Sequence, residues 1–292
     1  MIEIRPARPE EETRQKELWK LSFGDDDAYI DYFYTHRPAG VETLVLLEDG
    51  ALETMVALFP VTLSLPDGTQ ASSAYIYALA THPGARKKGF GRFILNYVDF
   101  YLQEKKLDCV TIVPAEASLH RFFAAAGFSE CFATRKVELL QYMARQSCEG
   151  STLAPAGPEM YNRVRERLLE GTFRVSYADG AIGYQEGLSR MANSGLYLLN
   201  VNGTEGCAAA EYLNEDSVLV KELIIPAPAM AGAAALLARE LPAVRYHLRT
   251  PPFWEGLPGS YLQAFGMVKW YNPELEAAWR NERKGYMGLG FD

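Results

Sequence analysis

The run Arg86-Lys87-Lys88-Gly89-Phe90-Gly91-Arg92 places four cations around two glycines within seven residues. Cations at that density attract anions, and glycine lets an anionic group approach the main chain with no Cβ in the way. Upstream, residues 75–81 are apolar and read as a strand. Downstream, Phe93, Ile94, Tyr97, Val98, Tyr101 and Leu102 recur at helical spacing. A strand that ends in such a turn and opens a helix aims free backbone N–H groups at a ligand, and the helix dipole adds positive potential there. The chemistry this pattern suits is the holding of a pyrophosphate.

That basic turn stands in an acidic chain. The 292 residues carry a net charge of −8, which argues against nonspecific nucleic-acid binding. Hydrophobic residues are 48% and charged residues 23%, the balance of a globular protein with room for two domains. No apolar run has the length of a membrane span, and Met1-Ile-Glu-Ile-Arg5 is no signal peptide, so a cytoplasmic protein is expected. Cys109, Cys131, Cys148 and Cys207 are far apart, and His36, His82, His120 and His247 are equally scattered. Neither set has metal-ligand spacing, and no metal is expected.

The elements around the turn follow from periodicity and punctuation. Residues 2–5 alternate as a strand, and a helix is expected over 10–23 with Leu18, Leu21 and Trp19 inward. Asp25-Asp26-Asp27 caps a second helix. Strands are expected over 43–48, 52–65 and 71–81, parted by the turns Asp49-Gly50 and Pro66-Asp67-Gly68-Thr69. A helix over 90–105 follows, then a buried strand at 109–113. Next comes a short helix capped by Ser118 and ended by Gly127, and a last strand over 128–141. The strand–helix–strand unit in the middle makes two strands parallel, which predicts a mixed α/β sheet.

With these elements in place the chain resembles the GCN5-related N-acetyltransferases, the GNAT family. Their acetyl-CoA motif is Arg or Gln, two residues, Gly, one residue, then Gly or Ala. Arg86-Lys87-Lys88-Gly89-Phe90-Gly91 fits it, between a strand and a helix as that family requires. Leu79-Ala80-Thr81-His82-Pro83 is similar to the family's strand ending, and residues 119–128 look like its second motif, a short helix ending in Gly127-Phe128. The resemblance covers about residues 1–140. It implies an acetyl-CoA-dependent N-acetyltransferase acting on the amine of a small molecule or peptide, by direct attack in a ternary complex. The N–H groups of residues 87–92 would hold the CoA pyrophosphate, with Arg86, Lys87, Lys88 and Arg92 as cationic neighbours. The pantetheine arm would pair along Leu79, Ala80 and Thr81, and an N–H of that strand would polarise the thioester carbonyl.

Two positions depart from the family pattern. Phe123 stands in the cofactor site where the family often has a tyrosine that protonates the leaving thiolate, and Phe cannot donate a proton. Glu116 stands where an Asn often orients CoA. An alternative reading is therefore a non-catalytic acyl-CoA-binding or sensing protein. A base is also needed, because an amine is protonated at neutral pH. Glu53, Tyr77, His82, Glu116 and His120 are the candidates, and only strand register chooses among them.

The second half repeats the order strand, hairpin, helix, strand. Residues 147–158 are rich in small residues, Pro and Gly, as a linker is. The expected division is an N-terminal GNAT domain at 1–145, a linker at 146–158 and a degenerate GNAT-like domain at 159–292. Residues 221–230 fall where residues 77–86 fall in the first half, without the glycine turn or the cations. The fold expected is thus a GNAT acyl-CoA N-acyltransferase fold, followed by a second GNAT-like half lacking the phosphate loop. Residues 250–261 form an aromatic, proline-rich loop that either walls an acceptor pocket or packs on its own domain. Some tandem relatives place a C-terminal carboxylate in the catalytic pocket. That resemblance offers Asp292 as base and Tyr286 as proton donor; the other reading of the tail is a strand that seals a sheet edge. A homodimer is left open.

Overall fold

A computed structural model describes residues 1–144, 147–280 and 284–291 of the chain. Its elements begin with β1 (Ile2–Pro6), α1 (Glu12–Phe23), α2 (Asp27–His36), β2 (Glu42–Glu48), β3 (Ala51–Ser64) and β4 (Gln70–Thr81). Next come α3 (Phe90–Glu104), β5 (Cys109–Ile112), α4 (Ala117–Ala125), β6 (Ser129–Leu140), β7 (Thr152–Pro155) and α5 (Pro158–Leu168). The rest are β8 (Arg174–Ser176), α6 (Asp179–Met191), β9 (Gly195–Val201), β10 (Thr204–Asn214) and β11 (Ser217–Ile224). The chain closes with α7 (Met230–Glu240), β12 (Arg245–Thr250), β13 (Tyr261–Trp270) and α8 (Pro273–Arg280).

These elements form two compact units that exchange segments along the sequence. The first holds Met1–Leu63, Gln70–Glu130 and the described part of 266–281. The second holds Ser64–Thr69, the described part of 131–265, and 284–291. A single cut near residues 145–159 therefore follows the sequence but not the units. The expected linker also contains β7, which pairs antiparallel with β9.

In the first unit the sheet runs β1-β2-β3-β4-β5 and then the end of β13. β1–β2, β2–β3 and β5–β13 are antiparallel, while β4 and β5 are parallel, as the strand–helix–strand pattern requires. In α3, Phe90, Ile94, Leu95, Val98 and Leu102 are buried against this sheet, whereas Phe93 is 42% exposed. Asp26 caps α2 by accepting from the Tyr29 N–H at 2.8 Å. Two local expectations change. Leu21 points outward while Leu18 and Trp19 are sealed, and Glu116, not Ser118, occupies the N-cap of α4.

The second unit orders its strands β6-β12-β11-β10-β9-β7. Its one parallel pair among the described strands is β11–β12, flanked by antiparallel neighbours. Read from β7 to β6, it repeats the first unit's pairing pattern. Each unit takes its last strand from the other half of the sequence: β13 completes the first, β6 the second.

The borrowed strand is fastened by charge as well as by its ladder. Lys269 Nζ reaches Asp99 Oδ2 at 2.5 Å and donates to the Ala126 carbonyl at 2.8 Å. Tyr271 Oη donates to Asp99 Oδ1 at 2.8 Å. Burial, then the Asp99 charge, holds that phenol well above its ordinary pKa, so it stays a donor. Replacing Tyr271 by Phe deletes a hydrogen bond to a carboxylate and is expected to cost about 1.5 kcal/mol. Urea unfolding measures this, and an unchanged midpoint would show that the strand is held without it.

Candidate acyl-CoA site

The site is built where β4 outruns its neighbour. The parallel ladder between β4 and β5 ends at the pair Ile76–Ile112, yet β4 continues to Thr81. Just past the ladder, Ala78 adopts φ +49°, a left-handed conformation that a residue with a Cβ enters only at a cost. Leu79, Ala80 and Thr81 follow with no β5 partner among the described residues. A strand edge released in this way has N–H and C=O groups to offer an extended ligand.

The strand then turns into the anion cradle. A short 3₁₀ turn, Pro83–Ala85, leads to Arg86 and Lys87, the latter at φ +68°. Gly89 is the N-cap of α3 at φ +84°, a conformation glycine adopts without strain. Among the described residues, the N–H groups of Lys88, Gly89, Phe90 and Gly91 have no backbone acceptor. Arg92 differs from its expected part: its N–H donates to the Gly89 carbonyl at 3.0 Å, and its guanidinium donates to the Ala125 carbonyl at 3.2 Å. Lys88 pairs with Glu48 at 2.6 Å, and Arg86 Nε reaches the Thr81 carbonyl at 3.4 Å. Arg86, Lys87 and Lys88 remain exposed around the turn.

Other expected residues fall elsewhere. Phe123 is 3% exposed, edge-on to Phe122 and Phe128 in the core beneath α3, so its ring packs and offers little surface to a cofactor. His120 is tied to Glu130 at 2.5 Å. Glu116 accepts from the Ser118 hydroxyl at 2.7 Å. The hydroxyls of Tyr77 and Tyr29 lie 2.7 Å apart, and Tyr77 packs among Trp19, Phe33 and Phe59. Cys109 is pushed up to about 12 by burial, far from a thiolate nucleophile.

The C-terminal tail belongs to the second unit. Its backbone pairs with residues 173–175 and 132, in the manner of a strand added to an edge. Tyr286 is 1% exposed there, and burial, then the Glu222 charge, pushes its phenol well above its ordinary pKa. A phenol sealed in that interior keeps its proton, so the proton-donor role expected of Tyr286 has no support. Asp292 lies outside the described residues. The loop after β12 packs within its own unit, with Arg135 Nε donating to the Trp254 carbonyl at 3.1 Å. In that unit β11 passes through a 3₁₀ turn, Ala227–Ala229, straight into α7, with no glycine cap and no cations.

Residues 3–128 match the family model of the GNAT acetyltransferase domain. The match spans less than half of the chain and is a likeness to GNAT enzymes, which draw their acetyl group from acetyl-CoA. No curated protein sequence matches the chain. Among solved structures, it is similar to a GCN5-related N-acetyltransferase from Anabaena variabilis, with TM-score 0.72 and 12% identity over 92% of this chain and 72% of that one. Eis1 from Mycobacterium abscessus gives TM-score 0.68 and 13% identity, covering 96% and 76%. A tandem GNAT protein from the clavulanic acid biosynthesis pathway gives 0.56 and 14%, covering 92% and 98%. At these identities the likeness is one of fold, and it extends over both halves. The expected architecture, a GNAT fold followed by a second GNAT-like half without the phosphate loop, is the one observed.

Ala78→Gly removes the Cβ strain and is expected to raise stability by about 0.5–1 kcal/mol in urea unfolding. A loss of stability instead would mean that this residue is not strained.

Proposed function

We propose that the first unit transfers an acetyl group from acetyl-CoA to the amine of a small molecule or peptide, by direct attack within a ternary complex. The observation that carries this reading is the run of unpartnered N–H groups at the start of α3, ringed by Arg86, Lys87 and Lys88. Four such groups on a helix N-terminus suit a pyrophosphate. Leu79, Ala80 and Thr81 then take the pantetheine arm along the free edge of β4, and a β4 N–H next to Ala78 draws charge onto the thioester oxygen as the amine attacks. The C–S bond breaks as the C–N bond forms, and the proton lost by nitrogen balances the one gained by the CoA sulfur. A covalent acetyl-cysteine is disfavoured by the burial that holds Cys109 and Cys207 as thiols.

Phe123 supports a second reading. With that side chain buried and unable to donate a proton, the domain would bind acyl-CoA without turning it over. Calorimetry with acetyl-CoA, followed by thiol release across an amine panel, separates the two. Binding with turnover is expected; binding with none on any amine favours the sensor. Gly89→Glu puts a side chain at φ +84° and a carboxylate against the cradle, and is expected to abolish acetyl-CoA binding. Unchanged affinity would contradict the cradle.

A further inference from the structure

A CoA pyrophosphate links two groups, the pantetheine arm on one side and an adenosine on the other. With the arm drawn along Leu79–Thr81, the adenosine leaves from the other side of the cradle, away from β4. Beside the cradle two large apolar side chains stand exposed. Phe93 on α3 is 42% accessible and Phe122 on α4 is 39%. Apolar residues scattered singly over a surface need no explanation. These two are not scattered, for each ring tip lies against one of the cradle's two glycines. A Cβ at Gly89 would sit 3.9 Å from Phe93 Cζ, and a Cβ at Gly91 would sit 3.4 Å from Phe122 Cζ.

Local structure puts them there. A long side chain on a helix leans toward the preceding turn, so Phe93 reaches back over Gly89, four residues earlier. Phe90 faces the core and backs it, with ring centroids 6.3 Å apart. On α4 the neighbour Phe123 points inward, and Phe122 stands outward, edge-on to it at 5.1 Å. Arg92 ties the two helices together at this point through the Ala125 carbonyl. Among the described residues, Phe93 and Phe122 make no ring contact with each other. Each exposed ring is thus set in position by a buried one, and rings already fixed lose little freedom when a flat ligand covers them.

We propose that Phe93 and Phe122 form an adenine platform, stacking on the purine while the Gly89 and Gly91 N–H groups hold the pyrophosphate. The proposal rests on the acetyl-transfer reading and names its donor class, an acyl thioester carried on a nucleotide. A thioester on the phosphopantetheine arm of a carrier protein has no purine and would leave both rings uncovered. A purine suits the platform because it is flat and uncharged, and stacking asks only for its π-face. Arg86, Lys87 and Lys88 complement the phosphates, and the two rings complement the base.

Calorimetry on the full chain compares CoA with 4′-phosphopantetheine, which carries the arm and a phosphate but no adenosine. Phe93→Ala and Phe122→Ala are each expected to weaken CoA about tenfold and to leave 4′-phosphopantetheine unchanged. Phe93→Trp keeps a stacking face and should hold CoA affinity. Phe100→Ala is the control: Phe100 is 59% exposed about two turns beyond Phe93, and its loss should alter neither ligand. Equal weakening of both ligands would mean that the substitutions distort the cradle, and unchanged CoA affinity would mean that the rings cover no base. Either result overturns the proposal. So does a loss of self-association in the variants with CoA binding intact, which would assign this face to a second copy of the chain. If the unaltered protein binds 4′-phosphopantetheine as tightly as CoA, the platform fails while the acetyl-transfer reading stands. If it binds neither, that reading fails with it.

Discussion

The first unit depends on one constraint: a helix must begin in the open with its leading N–H groups unsatisfied by protein. Those groups carry a partial positive charge that would be quenched by a side-chain cap. No such cap is present, for Gly89 occupies the N-cap and has no side chain to fold back. Holding that helix start in place takes most of the unit. The apolar face of α3 buries Ile94, Leu95, Val98 and Leu102 on the sheet, and β4 delivers the chain past the last rung of its ladder with β5. The left-handed Ala78 marks where the strand is bent off its partner. Strain at that point and an uncapped helix start at the next are two costs that the proposed acyl-CoA binding explains.

The second unit shows what the same pairing pattern becomes without that demand. Its strand–helix crossover is short and apolar, and Gly232 lets α7 close onto Val201, where a Cβ would come within 2.6 Å. Polar residues are spent in the interior instead. Arg165 and Glu222, both fully buried, pair at 2.9 Å, and Tyr161 donates to the same carboxylate at 2.8 Å. Gly288 of the tail lies against this pair, closely enough that any side chain would collide with Glu222. A buried pair of this kind fixes geometry more than it adds stability. It ties the tail into the unit's own core.

What could be read from the sequence was local. The phosphate turn is legible because glycine, cations and helix periodicity all fall within twenty residues, and the element order of the first half follows from the same signals. Helix α6 was not anticipated: Gly180, Gly183 and Gly187 lower its helix propensity, and packing of Ala181, Ile182, Tyr184 and Leu188 makes up the difference. Nor does any short-range pattern announce that β13 completes the first unit and β6 the second, since that exchange joins residues more than a hundred positions apart. Among the base candidates, His120 is tied to Glu130 and Glu116 to the Ser118 hydroxyl, contacts that no spacing in the sequence announces.

Hydrogen exchange at individual amides tests the central claim most directly. If the cradle holds the CoA pyrophosphate, adding acetyl-CoA will slow exchange at Lys88, Gly89, Phe90 and Gly91, whose N–H groups have no protein acceptor. The corresponding start of α7 in the second unit will not change. Protection that appears anywhere else while those four amides keep exchanging at their free rate would contradict the account.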